Sequence, residues 1–225
     1  WIKTTTTRGG KIIGFGNGRP NTGNNATSLS GNYDRQIYML NNGQLRFGVW
    51  TGSATALTTS TSYNDGAWHH IVATQGADGM SLWVDGNRVA KNTNTAAQAY
   101  WGVWHVGGDN LSGWPDQPAS NFFAGQIDET AVYDTVLSKT QIAAHATAGG
   151  KTPDVNASPA DAYGASVYAA DPDIYWRLDD TTSAAKDSSY FGQATGQYNT
   201  GVTHPVAGAL GSVNGAPNTG AQFNG

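Results

Sequence analysis

The sequence predicts an all-β protein, an antiparallel sandwich built from two sheets. Short runs of alternating apolar and polar residues follow one another along the chain, and clusters of Gly, Asn, Asp and Ser separate them. The composition agrees, since the 225 residues include 30 glycines and only 12% charged residues. A turn-rich chain with so little charge is not typical of helical bundles or coiled coils.

The strand-like runs can be placed in chain order. They cover residues 11–16, 35–40, 44–50, 55–63, 67–76, 80–92, 103–110 and 122–134. The turn at Asn41-Asn42-Gly43 predicts a hairpin, and Asp85-Gly86 predicts a second one. A polar loop at 19–32 separates the first two runs. Only residues 137–147 have helical character, with Ser138 as the predicted N-cap.

The second part of the chain differs in composition. Residues 149–165 contain two prolines and small residues without apolar periodicity, which predicts a linker. Residues 166–225 return to strand-like runs joined by Gly-rich turns. About 60 residues can bury only a small core of their own. We therefore expect this tail to pack against the rest of the protein for its stability.

Three motifs carry a resemblance to a known family. The run DGAWHHIVAT (65–74), the hairpin LWVDGNRV (82–89) and the run FAGQIDETAVYDTVLSKTQI (123–142) resemble, in this order, the laminin-G-like, concanavalin A-like family. The resemblance implies a two-sheet antiparallel jelly-roll sandwich. It says little about chemistry, because one fold supports many functions.

The order of the motifs departs from that family. IYWRLDD (174–180) resembles an opening strand, yet it follows GQIDETAVY (125–133), which resembles a closing strand. We therefore expect 1–148 to be a sandwich without its opening strands, cut from a tandem array or permuted. We expect 166–225 to complete a sandwich by pairing 174–180 against 125–133, either within the chain, which we favour, or by strand exchange with a neighbouring copy.

The residues present do not support an enzymatic function of the kind found in this fold. The glucanase family that an enzyme of this fold would resemble uses an E-x-D-x-E pattern. Its two outer carboxylates perform retaining hydrolysis. The nearest run here has Gln126, Asp128 and Thr130, so an amide and a hydroxyl stand in the outer positions. No nucleophile elbow, P-loop, zinc-protease or dinucleotide motif is present. We therefore expect a protein that is not an enzyme.

Residues 99–121, AYWGVWHVGGDNLSGWPDQPASN, are the best match for a carbohydrate-binding site. Sugar binding uses exposed aromatic rings with polar groups beside them. Trp114 lies between Gly113 and Pro115 and is predicted to be the exposed anchor, the alternative being that it packs against a neighbouring loop. The other predicted ligand-binding residues are Trp104, Asp109, Asn110, Asp116, Gln117 and Asn121. The patterns leave open whether Trp101 and Trp104 are core or surface, whereas Trp50, Trp68 and Trp176 are predicted to be core.

A structural Ca²⁺ ion is a further expectation, which the resemblance implies. Its predicted ligands are Asp128 on the closing strand and Asp187 in the turn DSSYFG, with Asp180 or else Asp179 nearby. The alternative for Asp128 is that it only holds a loop through backbone N–H groups. The adjacent His69 and His70 are predicted to face opposite sides of a strand, one inward and one outward, and therefore to be structural residues that do not share a metal.

Charge and composition limit the classes of partner and the cellular locations that are possible. A net charge of -4 gives no basic field for nucleic acid, and no apolar run approaches the roughly 20 residues that cross a bilayer. The chain opens at Trp1 without Met, so we expect any targeting segment to lie upstream. The sequence thus predicts a non-catalytic, secreted or cell-surface module that binds a glycan or another extracellular polymer. The alternative is a structural spacer or array-forming sandwich without a ligand.

Overall fold

The computed structural model describes residues 1–18, 29–213 and 216–225, so most of the predicted polar loop at 19–32 lies outside the described residues. The chain divides into two compact units, Trp1–Pro153 and Asp154–Gly225. Each unit is described by itself below.

The first unit is built from antiparallel strands. Those formed by its described residues are β1 Ile2–Lys3, β2 Gly10–Gly16, β3 Tyr33–Met39, β4 Gln44–Trp50, β5 Ala54–Ser62, β6 Trp68–His69, β7 Ile71–Gly76, β8 Gly79–Val84, β9 Asn87–Asn92, β10 Val103–Val106 and β11 Gln126–Ile127.

These strands form two layers. One layer is the sheet β10-β2-β3-β4-β5. The other consists of the sheets β11-β1-β6 and β7-β8-β9, which continue into one another because only His70 separates β6 from β7. The all-β, two-sheet antiparallel sandwich predicted from the sequence is confirmed.

The main core lies between the two layers. The first layer contributes Ile12, Met39, Leu45, Phe47, Val49 and Leu57, and the second contributes Ile2, Met80, Leu82 and Val84. Alternation places these side chains on one face of each strand, so burial of the apolar face drives the pairing of the layers. A smaller cluster of Tyr38, Leu40, Leu111 and Trp114 covers the outer face of the first layer.

Turn chemistry explains the hairpins. Gly43 has a φ of 85° and donates its N–H to Leu40 O at 3.0 Å, which closes the turn between β3 and β4. Asp85, with a φ of 52°, and Gly86, with a φ of 84°, turn β8 into β9. Both predicted hairpins are present.

The end of the first unit differs from its prediction. Within the run 122–134 only Gln126–Ile127 forms a strand, paired with β1, so that Ile2 faces Ile127. The helix α1, Lys139–Ala148, follows as predicted. Ser138 is its N-cap: its side chain accepts the Gln141 N–H, and the Gln141 side chain accepts the Ser138 N–H in return.

The second unit contains a helix that the sequence analysis missed, α2, Ala162–Ala169. Asp161 caps it by accepting the N–H of Gly164 at 2.7 Å. The last four residues of the predicted linker 149–165 thus belong to the start of α2. Among the described residues, no helix has the length and hydrophobicity that a bilayer crossing requires.

The strands of the second unit are short except for one hairpin. They are β12 Ala184–Ala185, β13 Gly196–Gln197, β14 Val202–Val213 and β15 Ala216–Phe223. Residues 174–180, predicted as a strand, form only an isolated bridge between Trp176 and Asp187. Leu178 has a φ of 58°, which is incompatible with extended backbone. Trp176 is 45% exposed, so its prediction as a core residue is wrong.

Candidate functional site

The loop between β10 and β11 covers the outer face of the first layer. Trp114 in this loop is only 4% exposed. Its ring lies 6.4 Å from that of Tyr38 and 6.2 Å from that of Trp50. A buried indole offers no face to a sugar, so the prediction of an exposed anchor at Trp114 is wrong.

Gly48 explains why the indole is buried. A Cβ built on Gly48 would lie 2.4 Å from Cζ3 of Trp114, so the missing side chain leaves the space that the indole fills. A glycine inside a strand is a signal of close approach by another group. Gly48 in the run QLRFGVW is therefore the sequence feature that indicates a buried partner for this strand.

The polar residues predicted to bind a ligand mostly hold the loop together. Asn110 donates to Ser30 O at 2.9 Å and accepts the Ser112 N–H. Asn121 accepts the Leu111 N–H at 3.2 Å, and Gln117 accepts the Gly113 N–H at 3.3 Å. Asp116 is exposed and forms an ion pair of 2.7 Å with Arg46.

Asp109 is held by a buried ion pair with Lys11 and by a hydrogen bond from Ser30. It is buried, accepts the Ser30 N–H at 2.8 Å and lies 3.5 Å from Nζ of the fully buried Lys11. Burial acts to raise the pKa of Asp109, but hydrogen bonds with Ser30 and Asn110 and the charge of Lys11 outweigh it and lower the pKa. Burial lowers the pKa of Lys11 to about 8, with Asp109 opposing that shift.

The two adjacent histidines are both buried, which contradicts the prediction that one faces outward. His69 Nδ1 lies 2.8 Å from Asp85 and its Nε2 lies 3.1 Å from Asp65, so these carboxylates raise its pKa. The ring of His70 lies 5.0 Å from that of Trp1 and 6.4 Å from that of His145 in α1, which together cover what would have been its solvent side. Burial, then the N-terminal charge and His145, lower the pKa of His70 to about 4.

Exposed aromatic residues lie instead on the edge strand β10 and just before it. Trp101 is 95% exposed and Trp104 is 42% exposed. Trp104 packs edge-on against Phe15, with ring centroids 5.5 Å apart. We call the group Trp101, Trp104, Phe15, Tyr100 and Arg35 the aromatic surface.

Contacts of Arg35 and Tyr100 hold the aromatic surface in place. The Arg35 guanidinium lies 5.2 Å from the centroid of Phe15 and 5.9 Å from that of Tyr100, and it donates to Gln98 O. The Tyr100 hydroxyl donates to Phe15 O at 2.8 Å. The sequence analysis missed Phe15 and Arg35, because nothing in the chain shows that β10 pairs with β2 or that β3 is the next strand of the same sheet.

A groove of about 710 Å³ begins beside Trp104 and runs between the two layers. We call it the inner groove. Ile13, Ile37 and Phe47 of the first layer line its floor, β7 lines one side, and residues 129–137 line the other. The sequence analysis did not predict this groove, which depends on the spacing of two segments far apart in sequence.

The predicted calcium ligands lie in different settings. Asp128, in the first unit, is exposed and accepts the Glu129 N–H at 2.9 Å. In the second unit Asp187 accepts the N–H groups of Tyr175, Ser189 and Ala194, and Asp180 accepts from Lys186 N and the Tyr198 hydroxyl. Across the described ranges no group of three or more His, Cys, Asp or Glu side chains is arranged to hold a metal ion.

Comparisons with known proteins bear on this arrangement. A profile of the family described as the concanavalin A-like lectin/glucanases superfamily matches residues 1–143. No curated protein sequence matches the chain significantly.

Among solved structures, the chain is similar to a native heptameric SAP-like pentraxin from Limulus polyphemus. The identity is 19% and the TM-score 0.44, with 64% of this chain and 66% of the pentraxin chain covered. It is also similar to an S-layer domain-containing protein from Clostridium thermocellum, with 19% identity, a TM-score of 0.31, and coverage of 65% of this chain and 66% of that one.

Proposed function

We propose that this chain, which belongs to the concanavalin A-like lectin/glucanase superfamily, is a non-catalytic, secreted or cell-surface module that binds a glycan through its aromatic surface. The observation that carries the proposal is the exposure of two indoles three residues apart in the chain, Trp101 at 95% and Trp104 at 42%. An indole that buries no area within its own unit is available to a ligand.

The chemistry of the aromatic surface suits sugars. Pyranose rings present C–H faces that stack on aromatic rings, and their hydroxyls need hydrogen-bonding partners beside the stack. Arg35 and Trp104 both line the inner groove, and Glu129 and Asp134 line it too. These side chains provide both donors and acceptors in the groove that the Trp104 indole lines.

Binding without catalysis is supported by the residues in the run 126–130. Gln126 and Thr130 stand where the glucanase pattern has carboxylates, and neither an amide nor a hydroxyl supplies the nucleophile or general acid of that mechanism. Gln126 is instead part of β11, paired with Lys3.

The test is a glycan array probed with the whole chain and with two variants of the aromatic surface. Trp101→Ala and Trp104→Ala should each weaken binding about 5- to 150-fold, since aromatic anchors contribute about 1–3 kcal/mol. Tyr163→Ala is the matched control, because Tyr163 is an exposed aromatic residue of the second unit. Equal binding by all variants would place the ligand elsewhere, and no binding to any glycan would favour a structural spacer.

The same array should be probed with Ca²⁺ and with EDTA, because calcium remains part of the proposal. Oxygen ligands from Asp187, Asp180 or Asp128 would hold the ion, and an ion that binds only the folded chain raises its melting temperature. A melting temperature and a binding profile that EDTA leaves unchanged would remove calcium and leave the aromatic surface untouched.

A further inference from the structure

Arg35 is the charged member of the aromatic surface, and aromatic rings hold its guanidinium. The guanidinium lies 5.2 Å from the centroid of Phe15 and 5.9 Å from that of Tyr100. Trp104 packs on the same Phe15 ring, with ring centroids 5.5 Å apart. One aromatic ring therefore contacts both a cation and a partly exposed indole, and places the two close to each other.

The Arg35 side chain keeps hydrogen-bond donors that the protein does not use. Its Nη2 donates to Gln98 O, whereas its Nε and Nη1 donate to no residue in the part of the chain that the structure describes. The side chain is 29% exposed, and it lines the inner groove together with Trp104. Because a guanidinium is a planar fork of N–H donors, much of this fork is available to a ligand.

Asp34 pairs with Arg35, but its oxygens are hydrogen-bonded to the backbone. Its Oδ2 lies 3.9 Å from Nη2 of Arg35, which is longer than a hydrogen bond. Oδ1 accepts the N–H groups of Arg35 and Trp50, and Oδ2 accepts that of Gln98. These bonds hold the Arg35 backbone at a φ of 44°. A residue other than glycine is uncommon in this region, and such strained positions cluster at functional sites.

We propose that Arg35 binds the carboxylate of an acidic sugar at the aromatic surface, beside the indole of Trp104. This inference rests on the proposed glycan-binding function and narrows its ligand to sugars that carry a carboxylate, such as uronic acids. A guanidinium and a carboxylate are both planar and form two parallel hydrogen bonds, which are stronger than bonds between neutral groups. Both the guanidinium and the Trp104 ring lie within 5.5 Å of the Phe15 centroid, so a terminal sugar and its carboxylate can reach both.

The surrounding charges favour an isolated carboxylate over a densely charged polymer. Glu129 and Asp134 line the same inner groove as Arg35, and the chain has a net charge of -4. These negative charges repel a polyanion along its whole length, whereas a single carboxylate meets Arg35 at contact distance. The expected ligand is therefore a glycan with isolated acidic sugars, and not a sulfated chain.

The experiment compares sugars that differ at one carbon atom. The whole chain is titrated with oligosaccharides that end in glucose or galactose, and with counterparts that end in glucuronic or galacturonic acid. In each counterpart a carboxylate replaces a CH₂OH group. The acidic sugar should bind about 10-fold more tightly than its neutral partner at low salt, because hydrogen bonds to charged groups contribute more. This preference should shrink as the ionic strength rises.

Variants of Arg35 then test whether this residue causes the preference. Arg35→Gln should bind acidic and neutral sugars equally, and neutral sugars should still bind because Trp101 and Trp104 remain. Arg35→Lys keeps the charge but loses the planar fork, so it should keep only part of the preference. The ratio of the two affinities is measured within one variant, so a smaller folded fraction lowers both affinities alike and leaves the ratio unchanged.

Arg8→Gln is the matched control. Arg8 is an exposed arginine of the same unit, so this variant changes the net charge by the same amount as Arg35→Gln. It should keep the full preference for the acidic sugar. A preference that falls equally in both variants would assign it to the overall charge of the chain and overturn the role of Arg35.

The remaining outcomes separate this inference from the function on which it rests. Equal affinity of the unchanged chain for acidic and neutral sugars would overturn the inference and leave glycan binding in place. A preference that survives in Arg35→Gln would show that the carboxylate binds elsewhere. Tightest binding of a densely sulfated polysaccharide would contradict the proposed ligand class. A chain that binds no sugar would remove glycan binding itself, and this inference with it.

Discussion

The two units of the chain are held together by different kinds of interaction. Among its described residues, the first unit has a core of ten buried apolar side chains between its layers and a second cluster on the outer face. Among the described residues of the second unit, Ala185 and Tyr190 are the buried apolar side chains. Burial of apolar area is the dominant favourable term in folding, so the first unit should be much the more stable one.

The second unit relies on carboxylates and amides that satisfy the backbone. Asp187 accepts three N–H groups, Asp161 caps α2 and also pairs with Arg177 at 2.6 Å, and Asn156 donates to the carbonyls of Asp187 and Ser189. The net contribution of such bonds is small, about 1 kcal/mol each for neutral groups and somewhat more for charged ones. The first unit is therefore stabilised mainly by apolar packing, and the second mainly by hydrogen bonds.

The largest expected effect is in the first unit. Trp114→Ala should lower the free energy of unfolding by about 3–5 kcal/mol, because it empties a site that Gly48 leaves open for the indole. Urea unfolding followed by circular dichroism measures this. Trp114→Phe should lose less, since it keeps part of the contact with Tyr38. A loss below about 1 kcal/mol would show that the loop does not belong to the core.

The buried Lys11 should make the first unit more stable at alkaline pH. Its pKa is about 8 in the folded chain, against an ordinary 10.5. Between these values the unfolded chain holds a proton that the folded chain has released, so raising the pH favours the folded form. Below pH 8 both forms are protonated and the effect disappears. The free energy of unfolding should rise by up to about 3 kcal/mol from pH 8 to pH 10.

A double variant is the control for Lys11. Lys11→Met with Asp109→Asn removes both charges, so that neither is left buried without its partner. This variant should lose the rise between pH 8 and pH 10. Measurements should stop at pH 10, because the raised pKa values of Tyr38 and Tyr100, about 12 each, make stability fall above it. A rise that persists in the double variant would assign it to another group.

A smaller effect is expected in the second unit. Asp187→Asn should cost about 2 kcal/mol, since it replaces a charged acceptor of three N–H groups with a neutral amide. Hydrogen exchange should speed up in residues 173–195 and stay unchanged in the core strands β3 and β4. Asp179→Asn, on a more exposed carboxylate, is the matched control. Faster exchange in both units would show that they unfold together.

The sequence predicted what depends on local pattern. Alternation placed the hairpin β3–β4, turn chemistry placed Gly43 and Asp85-Gly86, and Ser138, as a predicted N-cap, placed the start of α1. Each of these signals lies within a few residues of the element that it specifies. The three motifs that carry the family resemblance, at 65–74, 82–89 and 123–142, lie in this first unit, and the family profile matches there.

The candidate site could not be predicted in the same way, because it depends on distant segments. Trp114 is flanked by Gly and Pro, as an exposed loop residue would be. Its indole nevertheless packs against Gly48 and Tyr38, which lie in strands more than 60 residues away in sequence. The strand pattern of 174–180 is equally clear in sequence. In the structure the Asp187 carboxylate accepts the Tyr175 N–H, and Leu178 turns the chain out of extended geometry.

The smallest effect on stability should come from the most exposed indole. Trp101→Ala should change the free energy of unfolding by less than about 0.5 kcal/mol, because a side chain that is 95% exposed loses little contact when truncated. The same chemical change at Trp114 should cost several kcal/mol in the same unit, so the pair isolates burial from residue type. Urea unfolding of both variants under one set of conditions makes the comparison. A loss above about 1 kcal/mol at Trp101 would mean that its indole packs on protein, and the aromatic surface would then lack a free ring to stack on a sugar.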